Sequence, residues 1–476
     1  MLPGAAWTRG LSGSRRLTFR FSCSVSRRSY SSVPDPAPTH APEPVDSTPK
    51  SDSVQVRGRT VRTSSTQFNV SQNVLDATSR QLHIQKDHPI DITRRLIELH
   101  FPQPAFSHLN DCHPVVSTKE NFDSLGFPSD HPGRARTDTY YFNDEELLRT
   151  HTSAHQAAAF AGAAEGQVGY VISADVYRRD EVDRKHYPVF HQMEGARWWD
   201  RAEAPDGHVA TAIRHDAESL PCHDFAVEDS TPHFHPERNP LQEENHSPDE
   251  VGAVATHLKR SLENAIGGLF SRAKSQPDNP LRMRWVESYF PFTSPSWELE
   301  VYHDGDWMEV LGCGIVKHQL HAASGRPSRL GWAFGLGLDR IAMLLFRIPD
   351  IRFLWSTDER FLNQFTGMSL RPPEELQPFL PFSKHPPCPK DVSFWLPRGV
   401  AVPEVDVAEV VRTVARDVVE QVECFDRFTH PTTGQRSEAY RVTYRSLDRT
   451  LTNMETNNLH QKVKMALREQ LGVSLR

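Results

Sequence analysis

Two arginine-bearing stretches hold the residue types that handle anionic, activated substrates. The first is Arg178-Arg179-Asp180-Glu181-Val182-Asp183-Arg184-Lys185-His186-Tyr187, set between apolar runs over 169–178 and 188–198 that read as strands. A connection this long and charged is a poor turn. It suits a flexible clamp on a polyphosphate, whose oxygens a planar guanidinium meets two at a time, although a solvated hairpin tip would have the same composition. The second is Gly331-Trp332-Ala333-Phe334-Gly335-Leu336-Gly337-Leu338-Asp339-Arg340, followed by an apolar run to Leu345. Glycines ahead of a helix allow close approach of a backbone or nucleotide, and an arginine in the first helical turn can meet a phosphate. This is not the dinucleotide fingerprint, since Arg340 stands where the third glycine would be, and no P-loop occurs anywhere in the chain. Between these stretches, Glu309 lies in a strand over 307–311 on the face opposite Met308 and Val310, so it is either solvent-facing or placed for a cation. Phe290 and Phe292, two apart on a strand, share one face, as core or as the wall of an aromatic pocket.

The elements that must position these residues occupy the middle of a 476-residue chain, enough for about three domains. Apolar residues make up 37% and charged residues 24%, which indicates globular protein with some polar stretches. No run of about 20 uncharged apolar residues occurs, so no helical membrane span is expected. The net charge of −7 means that any nucleic-acid contact must be a local patch. The six cysteines include no C-x-x-C pair, which argues against a zinc ribbon and against a disulfide scaffold. Cys222, His223, His233 and His235 have irregular spacing, and no metal-ligand set is assigned.

Residues 1–34 carry six arginines, many serines and no acid, the composition of a mitochondrial presequence, with Arg28-Ser29-Tyr30-Ser31 resembling a matrix-peptidase site. Residues 35–60 read as a disordered spacer, 61–360 as the domain holding the chemistry, 203–249 as a flexible insertion in it, and 361–382 as a linker. Val251, Val254, Leu258, Leu262, Ile266 and Leu269 predict a helix. In 383–476 the order strand (391–396), helix (Val407 to Val418), paired strands (422–428, 438–444), helix (Leu459 to Leu471) and strand (473–475) predicts a βαββαβ ferredoxin-like domain. Nine Lys/Arg against four acids from Arg427 to Arg476 make it locally cationic, through an RNA-binding surface or an ordinary solvated face.

Taken together, the motifs resemble the class II aminoacyl-tRNA synthetases and, within them, the single-chain mitochondrial phenylalanyl-tRNA synthetases. Tyr177–Asp180 is similar to the second class II motif and Gly335–Arg340 to the third. N-F-D-S-L (121–125), D-H-P-G-R (130–134), R-T-H-T-S-A-H-Q (149–156), F-H-Q-M-E-G (190–195), Y-F-P-F (289–292) and E-V-L-G-C-G (309–314) complete the resemblance. The first motif is poorly marked around His88-Pro89 and Pro114, in keeping with a monomer.

The resemblance implies an α+β fold: an antiparallel class II sheet flanked by helices, plus a ferredoxin-like anticodon-binding domain. It implies ATP with Mg2+, L-phenylalanine and mitochondrial tRNA(Phe) as ligands, and the mitochondrial matrix as location. Arg178 would bridge the substrate carboxylate and α-phosphate, Arg340 would hold the γ-phosphate, and Glu309 would serve the nucleotide side through magnesium. Ser153, Gln192 and Glu194, with His151 and Asp180 nearby, would anchor the ammonium group, and Ala154, His155, Gln156 and Met193 fall within the same substrate-binding motifs. Phe290 and Phe292 would contact the substrate ring, Ala333 and Phe334 the deeper pocket and adenine side, and His186 and Tyr187 would close the loop over the nucleotide. Arg441, Arg445 and Arg449 would contact tRNA. The competing readings are a non-catalytic tRNA-binding relative and a class II enzyme for another amino acid. Retention of Arg178, Arg340, Glu309 and the ammonium set speaks against the first, and Y-F-P-F with F-H-Q-M-E-G against the second.

Overall fold

A computed structural model describes residues 52–204, 208–223, 226–272, 281–303, 305–382 and 385–476; the presequence expected at 1–34 lies outside them. The larger domain is built on an eight-stranded sheet. In spatial order its strands are Phe106–Leu109, Gly169–Tyr177, Val189–Asp200, Arg329–Gly337, Asp306–Val316, Thr293–His303, Arg282–Phe290 and Ala226–Glu228. Only the outermost pair at each end is parallel; the six inner strands run antiparallel. Gly169–Tyr177 is buried along its whole length, as expected of a central strand covered on both faces.

Because side chains alternate across a sheet, the two faces differ in chemistry. On one, Met193, Trp332, Phe334 and Leu336 meet the helices Pro89–Glu98, Pro248–Arg272 and Leu338–Phe346 in the main core. The six positions predicted for the long helix are all buried there. The helix Pro89–Glu98, opened by proline at its first position with the His88 ring accepting from the Ile90 amide at 3.2 Å, is buried within the single chain at every residue but Arg95. The other face carries Tyr170, Gln192, Glu194 and Ala333, partly covered by the turn Thr152–His155 and the helix Gln156–Ala161.

Three segments carry more structure than their composition suggests. Within 35–60, expected to be a disordered spacer, Ser53–Val56 pairs with Arg59–Arg62 through a turn at Arg57-Gly58, both with positive φ. Val56 and Val61 are buried, so three alternating valines suffice to anchor a short hairpin. Residues 203–249, read as a flexible insertion, contribute the helix Val209–Ser219 and the edge strand Ala226–Glu228. In the stretch 361–382, read as a linker, Phe361, Phe365, Met368, Leu376 and Phe379 pack into the main core, with rings of Phe353 and Phe379 4.9 Å apart. Burying these aromatic side chains fixes the segment to the larger domain.

The C-terminal domain has the expected order: Cys388–Trp395, helix Glu404–Ala415, Val419–Thr429, Arg436–Tyr444, helix Asn453–Leu471 and Ser474–Leu475. Arg436–Tyr444 and Cys388–Trp395 are the central strands of its four-stranded sheet. Phe394, Tyr440, Val442, Val411, Val463 and Leu467 form its core, and Thr452 with Glu455 makes a capping box on the last helix. This core also takes in Val182, from the charged loop of the larger domain.

Candidate active site

The site grows from the strand Val189–Asp200, whose even-numbered residues face away from the helices. Glu194 is enclosed there. Its Oε2 accepts from Ser153 Oγ at 2.5 Å and Thr152 Oγ1 at 3.3 Å, and its Oε1 from the Tyr170 hydroxyl at 3.1 Å. Burial pushes the Glu194 carboxyl up to about 7, against the pull of its three hydroxyl donors. Gln192 lies two residues along on the same face, buried, with its Oε1 unpaired within the protein. An anionic carboxylate beside a bare amide oxygen is a receptor for an ammonium group, and each buried acceptor gains from one. Gln156, also buried, hydrogen-bonds the Tyr170 hydroxyl and so supports this arrangement from behind.

The neighbouring strands leave room above the sheet. Gly335 and Gly337 pair with Glu194 and Gln192, and a Cβ at either would meet nothing within 4 Å. At Gly312, one strand further, a Cβ would come within 2.5 Å of the Phe290 ring, which lies over that glycine. Phe290 and Phe292 lie nearly parallel, 6.1 Å apart, with Phe127 6.5 Å beyond Phe292 and stacked in turn on the His151 ring at 5.6 Å. The strand ends at Phe290, so Phe292 reaches the same side from the turn. Ala154 packs behind Phe292 in a small apolar cluster. Burial, with Arg178 close by, lowers His151 to about 3, so the ring is neutral. A glycine floor walled by aromatic rings, with an ammonium receptor at its end, fits an aromatic amino acid.

At the opposite rim the two arginines converge. Arg178 follows the strand Gly169–Tyr177 and Arg340 sits in the first turn of the helix after Arg329–Gly337. These strands run in the same direction with one strand between them, so both arginines leave the same edge of the sheet. The Arg178 Nε donates to the Thr150 carbonyl at 2.7 Å and its guanidinium covers the Phe190 ring at 5.3 Å. Arg340 Nη1 donates to the Glu309 carbonyl at 3.3 Å. Burial pushes the Arg340 pKa down, opposed by the carboxylates of Glu309 and Asp180. Glu309 is buried, which resolves its two readings in favour of a carboxylate beside a cation. Glu298, one strand away and hydrogen-bonded by Ser288 at 2.7 Å, shares its face. Oxygen donors at a phosphate-sized rim are the set a magnesium ion takes.

Several expected residues lie elsewhere. Met193 and Phe334 point into the helix-side core, where Phe334 stacks on Phe101 at 5.3 Å; Ala333 alone of its pair faces the site. Consecutive strand residues cannot line one pocket. His155 accepts from Arg149 at 3.0 Å, and Arg149 is itself fixed by Asp175 and the carbonyls of Cys112 and His113, so His155 braces the turn carrying Ser153. His186 is paired with Asp183 at 2.8 Å, and Tyr187 stacks on Trp355 at 5.1 Å and donates to Asp417 at 3.0 Å. Both line a cavity of about 180 Å³ between the domains and do not cover the pocket. Arg445 also faces this seam, paired with Glu420 at 2.9 Å, whereas Arg441 and Arg449 are exposed and paired with Asp391 and Glu455.

Other residues had no distinguishing sequence signal. Tyr170 and Phe127 join the pocket through the fold, and Arg412 reaches the charged loop from the other domain. Across the open face of the C-terminal sheet, Trp395 and Phe428 pack edge to face at 6.2 Å under the Arg476 guanidinium, and Arg441 covers Phe425. Phe425 and Phe428 are exposed. Strand alternation around 425–428 would have been the only hint of this platform.

Residues 72–204 and 250–365 match the family description "tRNA synthetases class II core domain (F)", and residues 383–476 match "Ferredoxin-fold anticodon binding domain". The chain is 45% identical over 461 residues to the mitochondrial phenylalanine–tRNA ligase of Saccharomyces cerevisiae, covering 90% of this chain and 96% of that one. It is 42% identical to the mitochondrial enzyme of Mus musculus, covering 85% of each chain. With the chloroplastic/mitochondrial phenylalanine–tRNA ligase of Arabidopsis thaliana it shares 39% identity, covering 88% of this chain and 85% of that one.

Proposed function

The chain belongs to the family of mitochondrial phenylalanine–tRNA ligases with a class II synthetase core, and on that premise we propose how its pocket performs the two half-reactions. In the first, a carboxylate oxygen of L-phenylalanine attacks the α-phosphorus of ATP. The new P–O bond forms as the bond to the bridging oxygen breaks, giving phenylalanyl-adenylate and pyrophosphate. In the second, a hydroxyl of the terminal ribose of tRNA attacks the acyl carbon and AMP leaves. Neither step needs a protein nucleophile; alignment and charge neutralisation do the work.

Glu194, Gln192 and Ser153 hold the ammonium group, and Phe290 and Phe292 contact the ring across the glycine floor. Arg178 bridges the carboxylate and α-phosphate, where a planar two-pronged cation suits both. Arg340 neutralises the outer phosphates. Glu309 and Glu298 would hold a magnesium ion, which supplies further neutralisation of phosphate charge. The observation that carries this reading is the buried Glu194 receptor, bonded by Ser153 and Tyr170, at the end of an open aromatic trough whose other rim bears Arg178 and Arg340.

The RNA partner is mitochondrial tRNA(Phe), met by the C-terminal domain through the exposed Arg441 and Arg449 and the aromatic row of its open sheet face, suited to stacking bases. The protein acts in the mitochondrial matrix as a monomer, in keeping with the burial of Pro89–Glu98 inside its own chain. ATP–pyrophosphate exchange over a panel of amino acids tests the reading. Exchange with phenylalanine is expected; exchange with another amino acid, or none, would overturn it.

A further inference from the structure

We propose that Arg412, a residue of the C-terminal domain, is a positioning residue for amino-acid activation. Its guanidinium holds the backbone of the charged loop in the shape that presents Arg178 and Asp180 to the pocket, an inference that rests on the functional reading above.

The loop 179–187 has little to hold it from within. Within the loop the bonds are local: the Glu181 amide donates to Asp180 Oδ1, and the amides of Lys185 and His186 donate to Asp183, while Arg179, Arg184 and Tyr187 reach outward to the Arg136 carbonyl and Asp406, to Glu420 and to Asp417. Firm support comes from the other domain. Arg412 Nη2 donates to the carbonyls of Asp180 at 2.8 Å and Glu181 at 3.0 Å, while Nη1 donates to Glu409 Oε2 at 2.7 Å. Glu409 also accepts from Tyr140, a buried residue of the larger domain, at 3.0 Å. The guanidinium therefore has one arm braced on its own helix and the other on two successive loop carbonyls, a planar geometry that a lysine ammonium cannot reproduce. The next residue, Val182, is buried in the C-terminal core, and its carbonyl accepts from the Val422 amide at 3.0 Å.

These contacts fall on the part of the loop nearest the chemistry. Asp180 is close enough to Arg340 to act on its ionisation, and Arg178 is two residues away on the same strand end. A misplacement of about 1 Å at a phosphate clamp is costly even when its cause lies far from the reacting atoms. The two ends of the pocket therefore differ in what they need. The ammonium receptor is complete within the larger domain, whereas the nucleotide rim takes its shape from the smaller one.

The test uses the full-length protein and measures ATP–pyrophosphate exchange against both ATP and phenylalanine concentration for Arg412→Met, Arg412→Lys and Arg352→Met. Arg352 donates to the carbonyls of Asp417, Val419 and Arg445, so its loss weakens the same seam without removing a bond to Asp180 or Glu181. For Arg412→Met the KM for ATP is expected to rise on the order of 10- to 100-fold, the effect of losing a charge-assisted hydrogen bond. The KM for phenylalanine should barely move. Amide hydrogen exchange over 180–183 should accelerate, and Arg412→Lys should fall between wild type and Met. If Arg412→Met does not fold, the lysine variant carries the test with the same expected direction. Unaltered KM for ATP with unaltered loop protection would overturn the proposal. So would equal rises in both KM values, or an equal effect from Arg352→Met, since either would reduce Arg412 to a docking contact. Absence of phenylalanine-dependent exchange in the wild type would strike the functional reading instead.

Discussion

The two ends of the pocket are built on different plans. At the ammonium end, Glu194, Ser153, Thr152 and Tyr170 come from a central strand pair and one short turn, all buried and mutually hydrogen-bonded. At the phosphate end, Arg178 and Asp180 sit at the root of a charged loop whose carbonyls and apolar residue are held by a second domain. Rigid neighbours suit a small ligand that must be recognised by size. A braced loop suits a large, highly charged ligand that must enter and leave, and the contrast makes amino-acid and nucleotide binding separable by mutation.

The largest expected effect is at the phosphate end. Arg178→Ala should lower phenylalanine-dependent exchange by about three orders of magnitude, as for loss of a preorganised charge-stabilising donor, with circular dichroism unchanged. Near-normal exchange would remove Arg178 from the mechanism. At the ammonium end, Glu194→Gln should raise the KM for phenylalanine by roughly 100-fold, the upper range for a lost charged hydrogen bond, and leave the KM for ATP close to wild type. The pH dependence follows from the elevated Glu194 pKa of about 7. Below it the carboxyl is protonated and offers no charge to the ammonium group, so the KM for phenylalanine should climb as pH falls from 8 to 6 (about one unit either side of that value), and Glu194→Gln should flatten this limb. A smaller effect belongs to the RNA surface. Phe428→Ala should raise the KM for tRNA about tenfold, within the range of one base stack, while exchange stays unchanged; a parallel loss of exchange would deny the separation. Smallest, Gly335→Ala should raise the KM for phenylalanine a few fold, roughly 1 kcal/mol of misfit, without lowering the melting temperature, because its Cβ enters open space.

The sequence pattern reveals elements better than it reveals directions. The βαββαβ order of 383–476 is readable because valines and leucines recur at helical and strand spacing around a clear turn, and those of the two helices enter one small core. Glu309 stands out as a carboxylate within an apolar strand, where charge is expensive unless used, while the roles of Arg178 and Arg340 rest on the resemblance of their motifs. Met193 and Phe334 belong to motifs that also line the pocket, yet strand alternation sends every second residue of a contiguous stretch behind the sheet. Tyr187 turns away for another reason: its partners, Trp355 and Asp417, are more than a hundred residues distant, Asp417 in the other domain, which no local pattern encodes; His186 and Arg445 are held at the same seam by nearer carboxylates, Asp183 and Glu420. The hairpin at 53–62 is not legible in the sequence because two four-residue strands carry too few apolar residues to outweigh a polar neighbourhood.

Val182 has a consequence for how such a protein can change. An apolar side chain of one domain completes the interior of the other, so the boundary near residue 383 is not a place where this chain can be cut and rejoined freely. A chimera carrying a foreign C-terminal module would expose Val182 and leave a matching hole unfilled. Recombination between lineages would therefore have to exchange the loop and its socket together, as a single heritable unit.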